Sequence, residues 1–362
     1  MTLENHLRRI AFGDPGESTA TPDHRIAGTA SGARTDRECW LAAVVLGARG
    51  RYAAATTLLR RLRHSRDVVI ASLAASTIAS HRRQLGGHAA ALPADGAALA
   101  AVAGLPLVPA AGESVAGVDA DSADRNAADG DATGRNTAGR KAAGRKAAGR
   151  TAGRNAVAGQ GPATGTDAVG IAADADGVDV AGAWADALLG LAADQLALGR
   201  PALARRLVGE VTAGLDAAFG NGGGSVRSRV RAAWVGAEAA LAGGDPATAV
   251  ASAEAALHLL RSGSRATPVR HRAKTELVLA AALLAAGSDP ARAAELVASA
   301  LTVIDAHGFV SLSWPARLLA AETDPAGADE HRRRATREVH ALLPRVDPEL
   351  RRLAVESPWV PA

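Results

Sequence analysis

Two arginine–tryptophan pairs carry the chemistry most worth following. Arg37 precedes Trp40 and Arg231 precedes Trp234 by three residues each. Residues three apart share one face of a helix. A guanidinium beside an indole anchors a bound peptide well. It also stacks cation over ring inside a fold. The competing reading makes both tryptophans core fillers with the arginines laid along them. A second basic concentration is "GRNTAGRKAAGRKAAGRTAGRN", residues 134–155. It holds Arg135, Arg140, Lys141, Arg145, Lys146, Arg150 and Arg154 and no acid. Such cations engage nucleic-acid phosphates without reading bases. No aromatic residue is interleaved for base stacking, so this association would be weak. The five-residue period fits a passive, repeat-expanded spacer equally well.

Other candidate motifs lead away from catalysis. His81 and His88 lie seven apart across Gly86-Gly87, whereas a zinc pair on a helix needs i,i+4 spacing and further ligands. "GNGGGS" at 220–225 lacks the Gly-Lys-Ser/Thr ending of a phosphate loop. No Gly-x-Ser-x-Gly occurs. Cys39 abuts Trp40 on an apolar stretch and reads as a buried thiol. As the only cysteine, it excludes an intrachain disulfide. The expectation is a non-enzyme with no cofactor and no metal. "GSRATPVRHRAK" (263–274) reads as the basic start of an exposed helix or as a surface for an acidic partner. In "AHGFVSLSWPARLLA" (306–320), Gly308 should close one helix and Ser313 cap the next, with Pro315 at an early position.

Composition then says what kind of elements hold these residues. The chain has 362 residues, of which 91 are alanine, and aromatics make up 2%. Alanine is the best helix former and supplies little core area per residue. Sheet-favouring residues are sparse. Thin, closely packed helices are therefore expected. The 38 arginines against three lysines look like the bias of a GC-rich genome. The net charge is +4, but residues 134–155 alone carry +7, leaving −3 elsewhere. Outside the basic block there is no global field to recruit nucleic acid. The longest weakly apolar stretch, 89–112, is interrupted by Pro93, Asp95 and Pro106, so no membrane association is expected. The opening residues lack the apolar run of a secretory signal. The sequence reads as cytoplasmic.

Four segments are expected: 1–35, a disordered leader with room for a short helix; 36–108, N-terminal helical hairpins; 109–180, a low-complexity disordered linker containing the Gly-Arg repeat; and 181–362, C-terminal helical repeats. Within the helical parts five turns share a pattern. Gly50, Gly86, Gly199, Gly244 and Gly287 each have alanine seven residues earlier, at Ala43, Ala79, Ala192, Ala237 and Ala280. A second alanine follows each, at Ala55, Ala91, Ala204, Ala249 and Ala293. The glycine ends a helix where a Cβ is disfavoured. The alanines lie where two helices cross closely.

This pattern, best matched by "GRYAAA", resembles the tetratricopeptide repeat, over roughly 36–100 and 183–305. The spacings of 45 from Gly199 to Gly244 and 43 from Gly244 to Gly287 are longer than its usual period. In that respect the chain looks like the divergent repeats of regulatory proteins from high-GC Gram-positive (actinobacterial) sources. The resemblance implies an all-α antiparallel helical-hairpin solenoid of five to six hairpins. It also implies a concave groove lined by the first helix of each hairpin. The glycine register then places Arg37, Trp40, Arg231, Trp234 and Lys274 in the groove, with His271 one turn earlier. Ser76, Ser80, Arg83 and Gln84 face it from the second unit. The function implied is a non-catalytic scaffold or regulatory adaptor that holds a peptide or helix of another protein. Weak nucleic-acid association through 134–155 is the alternative.

Overall fold

A computed structural model describes residues 2–12, 28–108, 174–262 and 268–361. The described residues form one unit that draws on both sides of 109–173. All its regular elements are helical: α1 (Leu3–Phe12), α2 (Asp36–Ala48), α3 (Tyr52–Leu62), α4 (Val68–Gln84), α5 (His88–Val102), α6 (Val180–Ala197), α7 (Pro201–Phe219), α8 (Val226–Ala242), α9 (Pro246–Ser262), α10 (Val269–Ala286), α11 (Pro290–His307), α12 (Val310–Thr323), α13 (Ala328–Leu342), a 3-10 turn (Leu343–Arg345) and α14 (Pro348–Glu356). Helices α2 to α13 pair as six consecutive antiparallel hairpins.

The repeat chemistry explains the pairing. All five turn glycines have positive φ, between +59° and +78°, where a Cβ is strained. All ten crossing alanines are fully buried, at 0% exposure. Small residues at both crossings let the backbones of each hairpin approach closely. The second helices are amphipathic and outward: of the 19 residues of α7, only Ala204, Val211 and Leu215 are buried. The first helices are buried around most of their circumference. In α6 the buried set runs from Ala181 through Asp194 and includes Gly182 and Gly190.

The hairpins do not form an open solenoid arm. The first helices contact one another in the order α2, α4, α6, α8, α10, α12, and α12 returns to pack on α2. The array curls through a full turn and its ends meet. The C-terminal segment seals the seam. Leu342, Val346, Leu350, Ala354 and Val360 form one core cluster with Tyr52 and Leu85 from the first two hairpins. Gly86 and Gly87 approach Ser357 and Leu353, and Gly50 approaches Leu342 and Val310, too closely for a Cβ. Among the five turn glycines, Gly199, Gly244 and Gly287 face open space.

Several boundaries differ from the sequence reading. Helix α1 is integral to the core, with Leu7 at 0% exposure, and packs on α2 and α10. Its apolar positions Leu3, Leu7, Ile10 and Ala11 have helical spacing, so it buries a face. Thr35 and Glu38 form a capping box that starts α2. Asp174, Asp176 and Asp179, expected in the linker, are ordered instead. Arg8 donates to Asp176 at 2.6 Å and Asp174 at 3.3 Å, and Asp179 caps α6. Helix α12 starts at Val310 rather than after Ser313, so Pro315 lies inside it. Gly308 does close α11, in the left-handed conformation. Among the described residues no helix is long and apolar enough to cross a membrane.

Candidate binding cavity

Inner helices α4, α6, α8, α10 and α12 line a half-open cavity of about 790 Å³. The register that sets its wall is simple. Ten positions before the turn glycines stand Leu189, Trp234 and Leu277, and six positions before stand Ser80, Ala193, Glu238 and Ala281. All of them line the cavity. One stripe of α4, α6, α8 and α10, at i, i+3, i+4 and i+7 spacing, thus faces inward.

Along α8, α10 and α12 the lining changes character with depth. Arg231, Arg270 and Ser311, near the helix N-termini, form a cationic floor. Trp234, Leu277, Trp314 and Leu318 form an apolar middle. Glu238 and Glu322 stand toward the C-terminal ends. From Arg270 to Ala281 the wall spans eleven residues, about 16 Å at 1.5 Å per residue. Below the floor lies the N-terminal helix. The Phe12 ring of α1 sits 5.8 Å under the Arg227 guanidinium and 6.3 Å from the His271 ring.

Four residues assigned to a groove from the sequence meet in this cavity: Arg83, Arg231, Trp234 and Lys274. Ser80 and Gln84 join them. Arg37, Trp40 and His271 do not. Trp40 is 1% exposed, and its indole donates to Thr77 Oγ1 at 3.1 Å. It is a core residue, because α1 covers the face of α2 that the register aims inward. Arg37 is drawn the same way, donating to the Val178 carbonyl at 3.3 Å. His271 lies behind the wall, stacked 5.3 Å from the Trp234 ring. Ser76 is likewise buried. Trp234 itself is tied into the core by donation to Thr275 Oγ1 at 2.8 Å, with Lys274 Nζ 5.3 Å over its ring. It serves as core and wall at once. Residues 134–155, which hold the seven candidate phosphate contacts, lie outside the described residues.

The wall's charges fall into two kinds. Arg83 bridges two fully buried carboxylates, Asp95 and, at 3.3 Å, Asp194. Burial opposes its charge, but Asp95 and Asp194 outweigh burial and hold the guanidinium more firmly protonated than usual. Burial pushes the Asp95 carboxyl up to about 7 against the pull of Arg83, and the neighbouring Asp194 adds to the rise. One cation serving two buried carboxylates retains a proton among them. Gly190 makes room for this cluster, since a Cβ there would collide with the Asp95 carboxylate. Arg231 lies 3.0 Å from Asp186 Oδ1, whose other oxygen takes Arg227. Lys274 pairs with Glu238 at 3.3 Å.

Arg270 is different. Among the described residues it has no carboxylate within ion-pair distance, and its recorded hydrogen bond runs from Nη2 to Ser311 Oγ at 3.2 Å. Its Nε is buried without a partner. Burial, with Arg231 and Arg227 nearby, pushes its pKa down to about 10, so it remains charged at neutral pH. Behind it, His81 is driven by burial, and then by Arg270, down to about 3 and is neutral. Tyr52, packed 4.7 Å edge-on to His81, is raised by burial and also neutral. His88 turns elsewhere, 3.8 Å from Asp194.

Sequence reasoning missed Arg270 by one residue. "One turn earlier" than Lys274 was counted as three positions, giving His271. The stripe requires four, giving Arg270. No family model matches this sequence, and no curated protein is similar to it. The likeness to the tetratricopeptide repeat accordingly stands on the turn glycines and their paired alanines alone.

Proposed function

We propose that this protein is a non-catalytic binding protein whose ligand occupies the cavity inside the ring of inner helices. The observation that carries the reading is the cavity itself. Its volume falls in the range of small-ligand pockets, and its apolar wall holds a few convergent polar groups. The polar groups suit holding rather than proton transfer. Guanidinium groups do not act as acids or bases near neutral pH, and the two lining carboxylates are engaged in ion pairs, Glu238 with Lys274 and Glu322 with Arg332. The sequence reading of an adaptor holding a peptide or helix is narrowed here to a compact ligand. A helix with its side chains is about 10 Å or more across, and the return of α12 to α2 gives a half-open pocket rather than a groove running along an open array. A regulatory role in the cytoplasm of a GC-rich bacterium belongs to the same proposal and rests on the repeat resemblance. The nucleic-acid alternative rests on 134–155 alone, and no described residue favours it.

The cavity reading is tested with a neutral, apolar dye. Nile red should bind the full-length protein at one saturable site. Ala281→Trp, which pushes a ring into the cavity from the wall beyond Leu277, should abolish that binding while the far-ultraviolet circular dichroism stays native. Dye binding that is absent from the wild type, or unchanged in a folded Ala281→Trp, would sink the reading.

A further inference from the structure

The cavity's charge layout names the chemistry of its occupant. We infer that the ligand is a compact organic monoanion, a single carboxylate on an apolar body, with the carboxylate seated between Arg270 and Ser311 and the body lying along Trp234, Leu277 and Trp314. The inference rests on the cavity reading above and adds the ligand's class to it.

Four observations converge on it. First, the cations of the wall are not equivalent. Arg83, Arg231, Lys274 and Arg332 each have a carboxylate partner. Arg270 has none among the described residues and keeps a buried, unpartnered Nε. A half-buried guanidinium without a counter-charge is unfavourable, and an anion relieves that cost. One unpaired cation calls for one negative charge. Second, the groups packed against Arg270 offer no anion of their own, since Tyr52 and His81 are both neutral. Third, Arg270 and Ser311 are each the second residue of their helices, α10 and α12. The positive ends of both helix dipoles therefore reinforce the floor. Fourth, the charges toward the opposite end are already matched, Glu238 by Lys274 and Glu322 by Arg332, so that end offers no unmatched charge to a ligand. The apolar middle between the floor and that end selects a hydrocarbon or aromatic body.

The test compares ligands that differ only in head group: decanoate, decanol and decyltrimethylammonium, titrated calorimetrically into the full chain. Decanoate should bind at one site at least about tenfold more tightly than the other two, as a charge-assisted contact to a buried arginine implies. Arg270→Gln should weaken decanoate by about the same factor and leave decanol within about twofold. Arg270→Lys should retain part of the preference. Equal binding of decanoate and decanol by the wild type would overturn the inference and leave the cavity reading standing. So would an equal loss of both ligands in a folded Arg270→Gln. If none of the three saturates a single site in the wild type, both fall. Should Arg270→Gln not fold, the head-group preference of the wild type decides the matter alone.

Discussion

Arg83 and Arg270 face the same cavity from helices that occupy equivalent places in the ring, yet their surroundings are opposite. Arg83 is a cation with more carboxylate than it needs, held by Asp95 and Asp194 and steadied by the close approach of Gly190. Arg270 is a cation with none, resting on a serine hydroxyl beside a neutral histidine and a neutral tyrosine. The first arrangement satisfies itself and holds α4, α5 and α6 together. The second leaves an unmet demand that points into the cavity. A buried charge with its partners is part of the frame, and a buried charge without them marks where a partner belongs.

The sharpest way to break the comparison is to remove each cation in turn. Arg83→Met strands two buried carboxylates and should cost about 3–5 kcal/mol of unfolding free energy. The shift in urea midpoint at constant m-value measures it. A loss below about 1 kcal/mol would mean that the Arg83 cluster is not the strut described, since surface ion pairs contribute no more than that.

The two clusters should also respond to acid with opposite signs. His81 titrates near 6.5 when unfolded and at about 3 when folded. The unfolded chain therefore binds the proton first, and stability falls as pH drops from 6.5 toward 3, by up to about 5 kcal/mol. His271, lowered in the same way by burial, adds in the same direction. Asp95 is raised to about 7, so its contribution is present below the unfolded value near 3.9 and is lost as pH rises through 7. The two partly cancel in the wild type. Asp95→Asn should steepen the loss of stability between pH 7 and pH 4, and His81→Gln should flatten or reverse it. Denaturant melts at pH 7, 5.5 and 4 compare the three proteins. Parallel curves would show that neither group titrates as the structure indicates.

Much of this architecture was legible in the chain. Turn glycines and paired alanines locate the hairpins, because a left-handed turn and a close helix crossing each restrict residue type at one position. The same register brings Arg83, Arg231, Trp234 and Lys274 to the cavity. What escaped depends on contacts far apart in sequence. Nothing local states that α12 returns to α2, or that Ser357 and Leu353 approach the turn at Gly86-Gly87. That closure converts a groove into a cavity. Helix α1 was legible by its spacing, but its place against α2 was not, so Trp40 and Arg37 were aimed at a surface that α1 covers. The pairing of Asp95 with Arg83 spans two helices, and Asp194 joins it from the far side of 109–173 in the sequence. The lack of a partner at Arg270 is a property of three dimensions only.

Arg270 also supplies the most direct test, in the smallest effect. Arg270→Met removes an uncompensated, half-buried charge, so without ligand it should be more stable than the wild type, by up to about 1 kcal/mol. In saturating decanoate the order should reverse, because the ligand stabilises only the protein that binds its carboxylate well. The decisive measurement is the difference in Tm between the two proteins as decanoate is added. A difference that changes sign is the predicted result. One that keeps the same sign at every decanoate concentration would contradict the assignment of Arg270 as the seat of an anionic ligand.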